Sequence, residues 1–153
     1  MAPVARWAVI STFVLSLGGL AISLYLTVVH FQPEALACSG GGAVDCARVL
    51  TSGESYFLGI PVAILGLGQY AVMCVLNSPW AWRRPQRWIA QARFALAFVG
   101  FGFILWLISA EALIIHKICL WCTGVHLITL ALLIILTRVS PAQLGWSPAS
   151  SDE

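Results

Sequence analysis

The chain has 153 residues, 60% of them hydrophobic and only 9% charged, with a formal net charge of +2. A water-soluble domain of this size has too little interior to enclose so much apolar side chain. The composition excludes an ordinary soluble globular domain and points to a lipid bilayer as the solvent; no nucleic-acid partner is expected.

A bilayer core takes about 20 mostly apolar residues per helix. Four stretches meet that length: about Trp7–His30, Leu58–Leu76, Trp88–Ile115 and Ile118–Leu136. Within hydrocarbon the backbone has to satisfy its own hydrogen bonds, so each is expected to be a helix. The expected fold class is therefore an all-α membrane protein, a four-transmembrane-helix bundle over residues 1–137 with a short extracytoplasmic half-helix in its first outer loop. Residues 138–153 read as a short polar cytoplasmic tail, ending in "SPASSDE". The first stretch could also be a cleaved signal peptide, since "ALAC" (Ala35–Cys38) loosely imitates a lipoprotein cleavage site. Its length, and the "FQPE" between it and Cys38, favour a span.

Four spans put both termini on one side. Arg6, Arg83, Arg84, Arg87, Arg93 and Arg138 share that side, six of the eight basic residues. Arg48 and Lys117 fall on the other, near Glu34, Asp45, Glu54 and Glu111. The positive-inside rule makes the arginine-rich side cytoplasmic. The expected location is thus the cell (inner) membrane, multi-pass, with both termini in the cytoplasm. Cys38, Cys46, Cys119 and Cys122 then collect on the extracytoplasmic side, where disulfides persist. Cys74 lies alone near the cytoplasmic end of the second span and reads as a packing or lipid-facing residue. "SPWAWRRPQRW" (Ser78–Trp88) reads as a proline-bounded cytoplasmic turn with interfacial tryptophans.

In the outer loop, Gly40–Gly42 make the chain flexible. Asp45 is a good N-cap for a short helix over Cys46–Ser52, which Gly53 ends. Pro61 sits near the first turn of the second span. Cys46 would stand at a helix N-terminus, which favours thiolate, while the neighbouring Asp45 opposes it. A disulfide needs Cα atoms roughly 4.4–6.8 Å apart, and the glycines between Cys38 and Cys46 allow that approach.

"KICLWCTGVH" (Lys117–His126) opens the last span. Cys119 and Cys122, at i and i+3, share a helix face in the first turn. Free backbone N–H groups there, with Lys117 nearby, stabilise thiolate on either sulfur. The alternatives are a four-cysteine zinc site and two inert disulfides. The wide Cys38–Cys46 spacing and the oxidising side disfavour zinc. Two cysteine pairs on one face, one of them flexible, favour a redox relay. No metal is expected. Electrons leaving Cys122 need an acceptor that a membrane can deliver, and a lipid-soluble quinone, drawn from the membrane quinone pool, fits. Its ring takes an apolar slot with a few polar contacts, for which Leu50, Ser52, Phe57, Trp121 and His126 are candidates. His126 lies on the same face as Cys122. His30 and His116 read as interfacial, and Glu111 as snorkelling to the outer surface.

Taken together, Cys38-x7-Cys46, Ser52 six residues on, "GIPVAILGLGQY" (Gly59–Tyr70) and Cys119-x-x-Cys122 on the last helix resemble the vitamin K epoxide reductase family, its bacterial branch above all. The resemblance covers about residues 7–137. It implies a four-helix bundle around a quinone, menaquinone or ubiquinone, with the site at the extracytoplasmic end. It further implies that Cys38 and Cys46 are a loop shuttle pair, that Cys119 and Cys122 are the active-site pair with Cys122 beside the quinone, and that Ser52 lies close to it. His126 stands where vertebrate members have a tyrosine, and Leu50 where they have a phenylalanine. These departures suit reoxidation of a separate thioredoxin-fold, DsbA-like dithiol oxidase; many bacterial members carry such a domain fused. Three rival readings are a DsbB-like quinone reductase, whose two cysteine pairs come in the opposite order, epoxide reduction of vitamin K, and a small structural membrane protein with stabilising disulfides.

Overall fold

A computed structural model describes residues 4–38, 40–84 and 86–144. Among these, three helical segments are long and apolar enough to cross a membrane: α1 (Arg6–Phe31), α5 (Arg87–Ala110) continued by a π-helical turn (Glu111–Ile115), and α6 (Leu120–Leu144). The fourth apolar segment, α3 (Val62–Leu76), has only 15 residues. At 1.5 Å per residue it spans about 22 Å, short of the roughly 30 Å hydrocarbon core.

The shortening of the expected Leu58–Leu76 span has a local cause. Tyr56–Phe57 (β1) and Ile60–Pro61 (β2) pair as a tight antiparallel hairpin. Its two turn residues, Leu58 and Gly59, both have positive φ, 52° and 82°. Glycine adopts that conformation freely, and Pro61 then sets the N-cap of α3. Leu58 projects from the tip, 88% exposed.

Helix α1 packs most extensively on α3 and α6, and α5 packs on α6. The buried face of α1 is mainly a line of small residues, Ala8, Thr12, Ser16, Gly19 and Ser23, before Leu26 and Val29. Between helices in lipid, small side chains let backbones approach and maximise dispersion contact. At Gly19 this is acute: a Cβ there would lie inside the Tyr70 ring. Two hydroxyls of this face satisfy themselves on the preceding turn, Thr12 Oγ1 donating to Ala8 O (2.8 Å) and Ser16 Oγ to Thr12 O (2.7 Å).

Polar side chains also cross between helices. Asn77 Nδ2 donates to Ser16 Oγ (2.9 Å), Gln69 Nε2 to Leu96 O (2.8 Å), and Tyr70 OH to Val125 O (3.1 Å). Arg93, which falls in the expected cytoplasmic arginine group, is buried. Its Nη2 donates to Leu76 O at 2.7 Å, satisfying a carbonyl in the last turn of α3, and its guanidinium lies 3.6 Å from the Trp82 ring centroid. The Ser78–Trp88 turn contains one short helix, α4 (Pro79–Trp82), capped by Ser78 Oγ.

Helix α6 continues to Leu144, past the expected start of the tail. The "SPASSDE" segment lies outside the described residues.

Candidate active site: two cysteine pairs above an apolar cavity

The loop between α1 and α3 is fastened to the segment that leads into α6. A turn closes at Gly41–Val44, with Gly42 at φ 61°. Asp45 N then donates to Ile118 O (3.1 Å) and Ile118 N to Ala43 O (3.0 Å). Lys117 Nζ adds a 2.6 Å bond to Gly42 O. The loop carrying the first cysteine pair is thus stitched to Lys117 and Ile118, the two residues directly ahead of Cys119.

Helix α2 (Cys46–Leu50) begins as its N-cap predicts, Asp45 Oδ1 accepting from Arg48 N at 3.0 Å. It ends two residues earlier than the sequence suggests. Thr51 and Ser52 leave it, and Gly53–Ser55 form a 3₁₀ turn. Cys38 and Cys46 are joined by a disulfide with Cα atoms 6.1 Å apart. Cys46 is fully buried, whereas Cys38 is half-buried. With these two sulfurs bonded to each other, the four-thiolate zinc arrangement is not formed.

Cys119 sits one residue before α6, not within its first turn. From there its sulfur caps the helix: Cys122 N donates to Cys119 Sγ at 3.3 Å, and the Cys122 thiol hydrogen-bonds to the same sulfur. Thr123 contributes N and Oγ1 donors to Cys119 O, both at 2.9 Å. Donors converging on one sulfur stabilise negative charge there. Cys119 and Cys122 are both free thiols. Cys46 and Cys119, each 0% exposed, belong to one buried cluster with Leu26, Val29, Val49, Leu50 and Ile115; Cys38 and Cys122 pack against it.

Below the cysteines lies a cavity of about 350 Å³ bounded by α1, α3, α5, α6 and the loop. Four of the five candidate quinone contacts line it: Leu50, Ser52, Phe57 and His126, together with Cys122. Phe57, on β1, closes one wall against Phe103 (5.5 Å between ring centroids) and Trp106 (5.7 Å). Ser52 Oγ donates to Val49 O at 2.8 Å, so its single proton is engaged within the loop.

The fifth candidate, Trp121, is not among the lining residues. Its ring packs on Tyr25 (4.8 Å between centroids), and its Nε1 donates to Ala37 O at 3.2 Å. Tyr25 OH in turn accepts from Ala37 N (2.7 Å) and donates to Ala35 O (3.1 Å). Trp121 therefore holds the chain just before Cys38. The indole N–H finds its acceptor in the loop backbone and not in the cavity.

Glu111 is also placed differently from the expectation. It is buried in the π-helical turn, lines the cavity, and lies near the Cys119 backbone N–H. Widening of the helix by one residue at Glu111–Ile115 turns the carboxyl inward. His30, expected at the interface, lines the cavity as well and bonds Tyr56 OH (3.0 Å). Sequence reasoning also missed the polar floor, Gln69, Tyr70 and Thr129. The one signal for it was the presence of polar side chains inside apolar spans, which are costly in lipid and therefore face protein or a cavity. Among the described residues no group of three His, Cys, Asp or Glu side chains is close enough to hold a metal ion.

A disulfide in the loop after α1, a thiol pair at the head of a membrane helix and an apolar cavity beneath them lie together within the segment whose sequence matches a known family pattern. That match covers residues 10–137, and the chain belongs to the vitamin K epoxide reductase family.

Proposed function

We propose that this chain is a membrane thiol:quinone oxidoreductase that reoxidises a separate thioredoxin-fold, DsbA-like dithiol protein and reduces a membrane quinone, so supporting disulfide formation on the extracytoplasmic side. The family's members are in general membrane thiol–disulfide and quinone oxidoreductases. The observation that carries the reading is the gradient of burial along the four sulfurs. Cys38 is half-buried, Cys46 and Cys119 are enclosed together, and Cys122 lines the apolar cavity.

An incoming thiolate can reach the loop disulfide only at Cys38. Its attack breaks the Cys38–Cys46 bond and releases Cys46 into the cluster that also holds Cys119. With the inner pair oxidised, Cys46 attacks Cys119 and frees Cys122. The partner's second thiol then attacks its own sulfur bonded to Cys38 and leaves as a disulfide, and the freed Cys38 attacks Cys46, reclosing the loop pair and leaving Cys119 and Cys122 as thiols, the arrangement described above. Charge held on Cys119 then suits it to attack the Cys122 sulfur as that pair closes and its two electrons pass to quinone.

The cavity supports a quinone as substrate. Its volume falls within the range of small-molecule pockets, about 300–1,000 Å³, and it is mostly apolar with a few converging polar groups. Leu50 and Phe57 would grip the ring, and His126 would polarise a carbonyl as charge develops on it. Ser52 would do the same after turning its hydroxyl away from Val49 O.

Trapping the reduced partner as a mixed disulfide tests the order of transfer. A stable adduct through Cys38 should accumulate in Cys46→Ala, and none should form through Cys46 in Cys38→Ala. Adducts through Cys46 alone would reverse the order. Purified protein given a dithiol and a short-tailed benzoquinone should bleach the quinone; intact cysteines without bleaching would sink the quinone reading.

A further inference from the structure

A second cavity, about 660 Å³ and open to the outside of the bundle, lies between α5 and α6, with the exposed Leu105, Ile108 and Leu127 on its walls. Its rim at the loop end is polar, with His116 and Lys117 beside Ala43 of the loop, and its walls are apolar. Glu111 and His126 line both this cavity and the first one. Each is only 7% exposed. The other ionisable groups divide between the two: His30, Glu54, Tyr70 and Cys122 line only the first, His116 and Lys117 only the second.

We propose that Glu111 is the group that protonates the quinone, and that the second cavity, past His126, is the path by which it regains its proton from water at the loop end. The inference deepens the quinone-reductase reading and rests on it. Closing the Cys119–Cys122 disulfide forms one S–S bond and releases two electrons and two protons. Reduction of quinone to quinol consumes two of each. Electrons cross directly from Cys122, but protons need carriers, because an apolar cavity holds few. The Glu111 carboxyl lines the quinone cavity with Cys122 and lies close enough to Cys119 and Cys122 to interact with both. There it gives one proton to a quinone oxygen; a thiol proton serves the other oxygen. The second thiol proton leaves to water at the loop end, and a proton from that water restores Glu111 through the second cavity, so the totals balance.

Two features of the local structure support the assignment. An ionisable side chain enclosed within a membrane span is costly and is retained for function. The π-helical turn that directs Glu111 inward is a device frequent at functional sites.

The test separates the thiol half of the reaction from the quinone half. Wild type, Glu111→Gln and Glu111→Asp are purified in nanodiscs and given dithiothreitol. Opening of the Cys38–Cys46 disulfide is followed by thiol alkylation, and reduction of a short-tailed benzoquinone by absorbance. Glu111→Gln should open the loop disulfide at the wild-type rate and reduce quinone about 100-fold more slowly, the usual scale for losing a general acid. Glu111→Asp should recover part of that loss and show a larger solvent deuterium isotope effect than wild type. Narrowing the second cavity alone, with Ala112→Phe, should slow quinone reduction several-fold without altering loop opening. Quinone reduction within about twofold of wild type in Glu111→Gln would overturn the assignment, as would equal loss of both halves. If Glu111→Gln does not fold, an unchanged isotope effect in Glu111→Asp together with an unaffected Ala112→Phe overturns it. A wild-type protein that opens its disulfide but never reduces quinone overturns the underlying function instead.

Discussion

The indole of Trp121 donates to the carbonyl of Ala37 at 3.2 Å, joining the middle of the CLWC segment to the residue before Cys38. One residue thus links the two cysteine pairs without touching the cavity. Trp121→Phe keeps an aromatic ring against Tyr25 and removes only the hydrogen bond. A bond of this kind contributes about 0.5–1.5 kcal/mol. The expected result is a several-fold slower transfer from the loop pair to Cys119, read by rapid-quench alkylation, with quinone affinity unchanged. An altered quinone affinity would return Trp121 to the cavity.

Asp45 anchors the same loop from its other end, capping α2 through Arg48 N. Replacing a capping aspartate by alanine costs about 1 kcal/mol. Asp45→Ala should lower the melting temperature and raise the reactivity of the Cys38–Cys46 disulfide toward a small thiol, while Asp45→Asn, which can still accept, should do neither.

Close approach of α1 and α3 depends on Gly19 and not on its neighbour. At Gly19 a new Cβ would meet the Tyr70 ring, whereas at Gly18 the nearest atom, Ile128 Cδ1, is 3.8 Å away. Gly19→Ala should destabilise the bundle by about 1–3 kcal/mol, the usual cost of overpacking. Gly18→Ala should be neutral or mildly stabilising. Thermal unfolding in detergent compares the two directly.

Tyr70 OH bonds both Val125 O (3.1 Å) and Thr129 Oγ1 (2.7 Å), tying α3 to α6 beneath the cavity. Interhelical hydrogen bonds within membranes average about 0.6 kcal/mol. Tyr70→Phe should therefore cost under about 1 kcal/mol of stability but loosen the cavity floor. A weaker apparent KM for quinone with little change in kcat is the expected signature; loss of kcat alone would contradict a positioning role.

The outer loop shows where reading from sequence succeeds and where it stops. Asp45 as a cap is legible because its bond is made three residues away. The Cys38–Cys46 disulfide is legible as feasible because the intervening glycines permit the approach. The shortening of α3 is not, since Leu58 carries no local signal for a left-handed turn and only the pairing of Tyr56–Phe57 with Ile60–Pro61 holds it there. Glu111 is misplaced from sequence for a related reason. Its depth follows from one residue of helix widening, which depends on how α5 meets the segment before α6.

What the sequence by itself determined is the solvent, the apolar helices and the four cysteines with their spacings. Those follow from composition and from periodicity within single segments, where each residue's environment is set by near neighbours. Tertiary structure alone decided that Cys46 lies enclosed with Cys119, that Trp121 faces the loop, and that Glu111 and His126 stand between two cavities. Those relationships join residues far apart in the chain, and their geometry comes from packing of helix on helix, which a linear pattern does not encode.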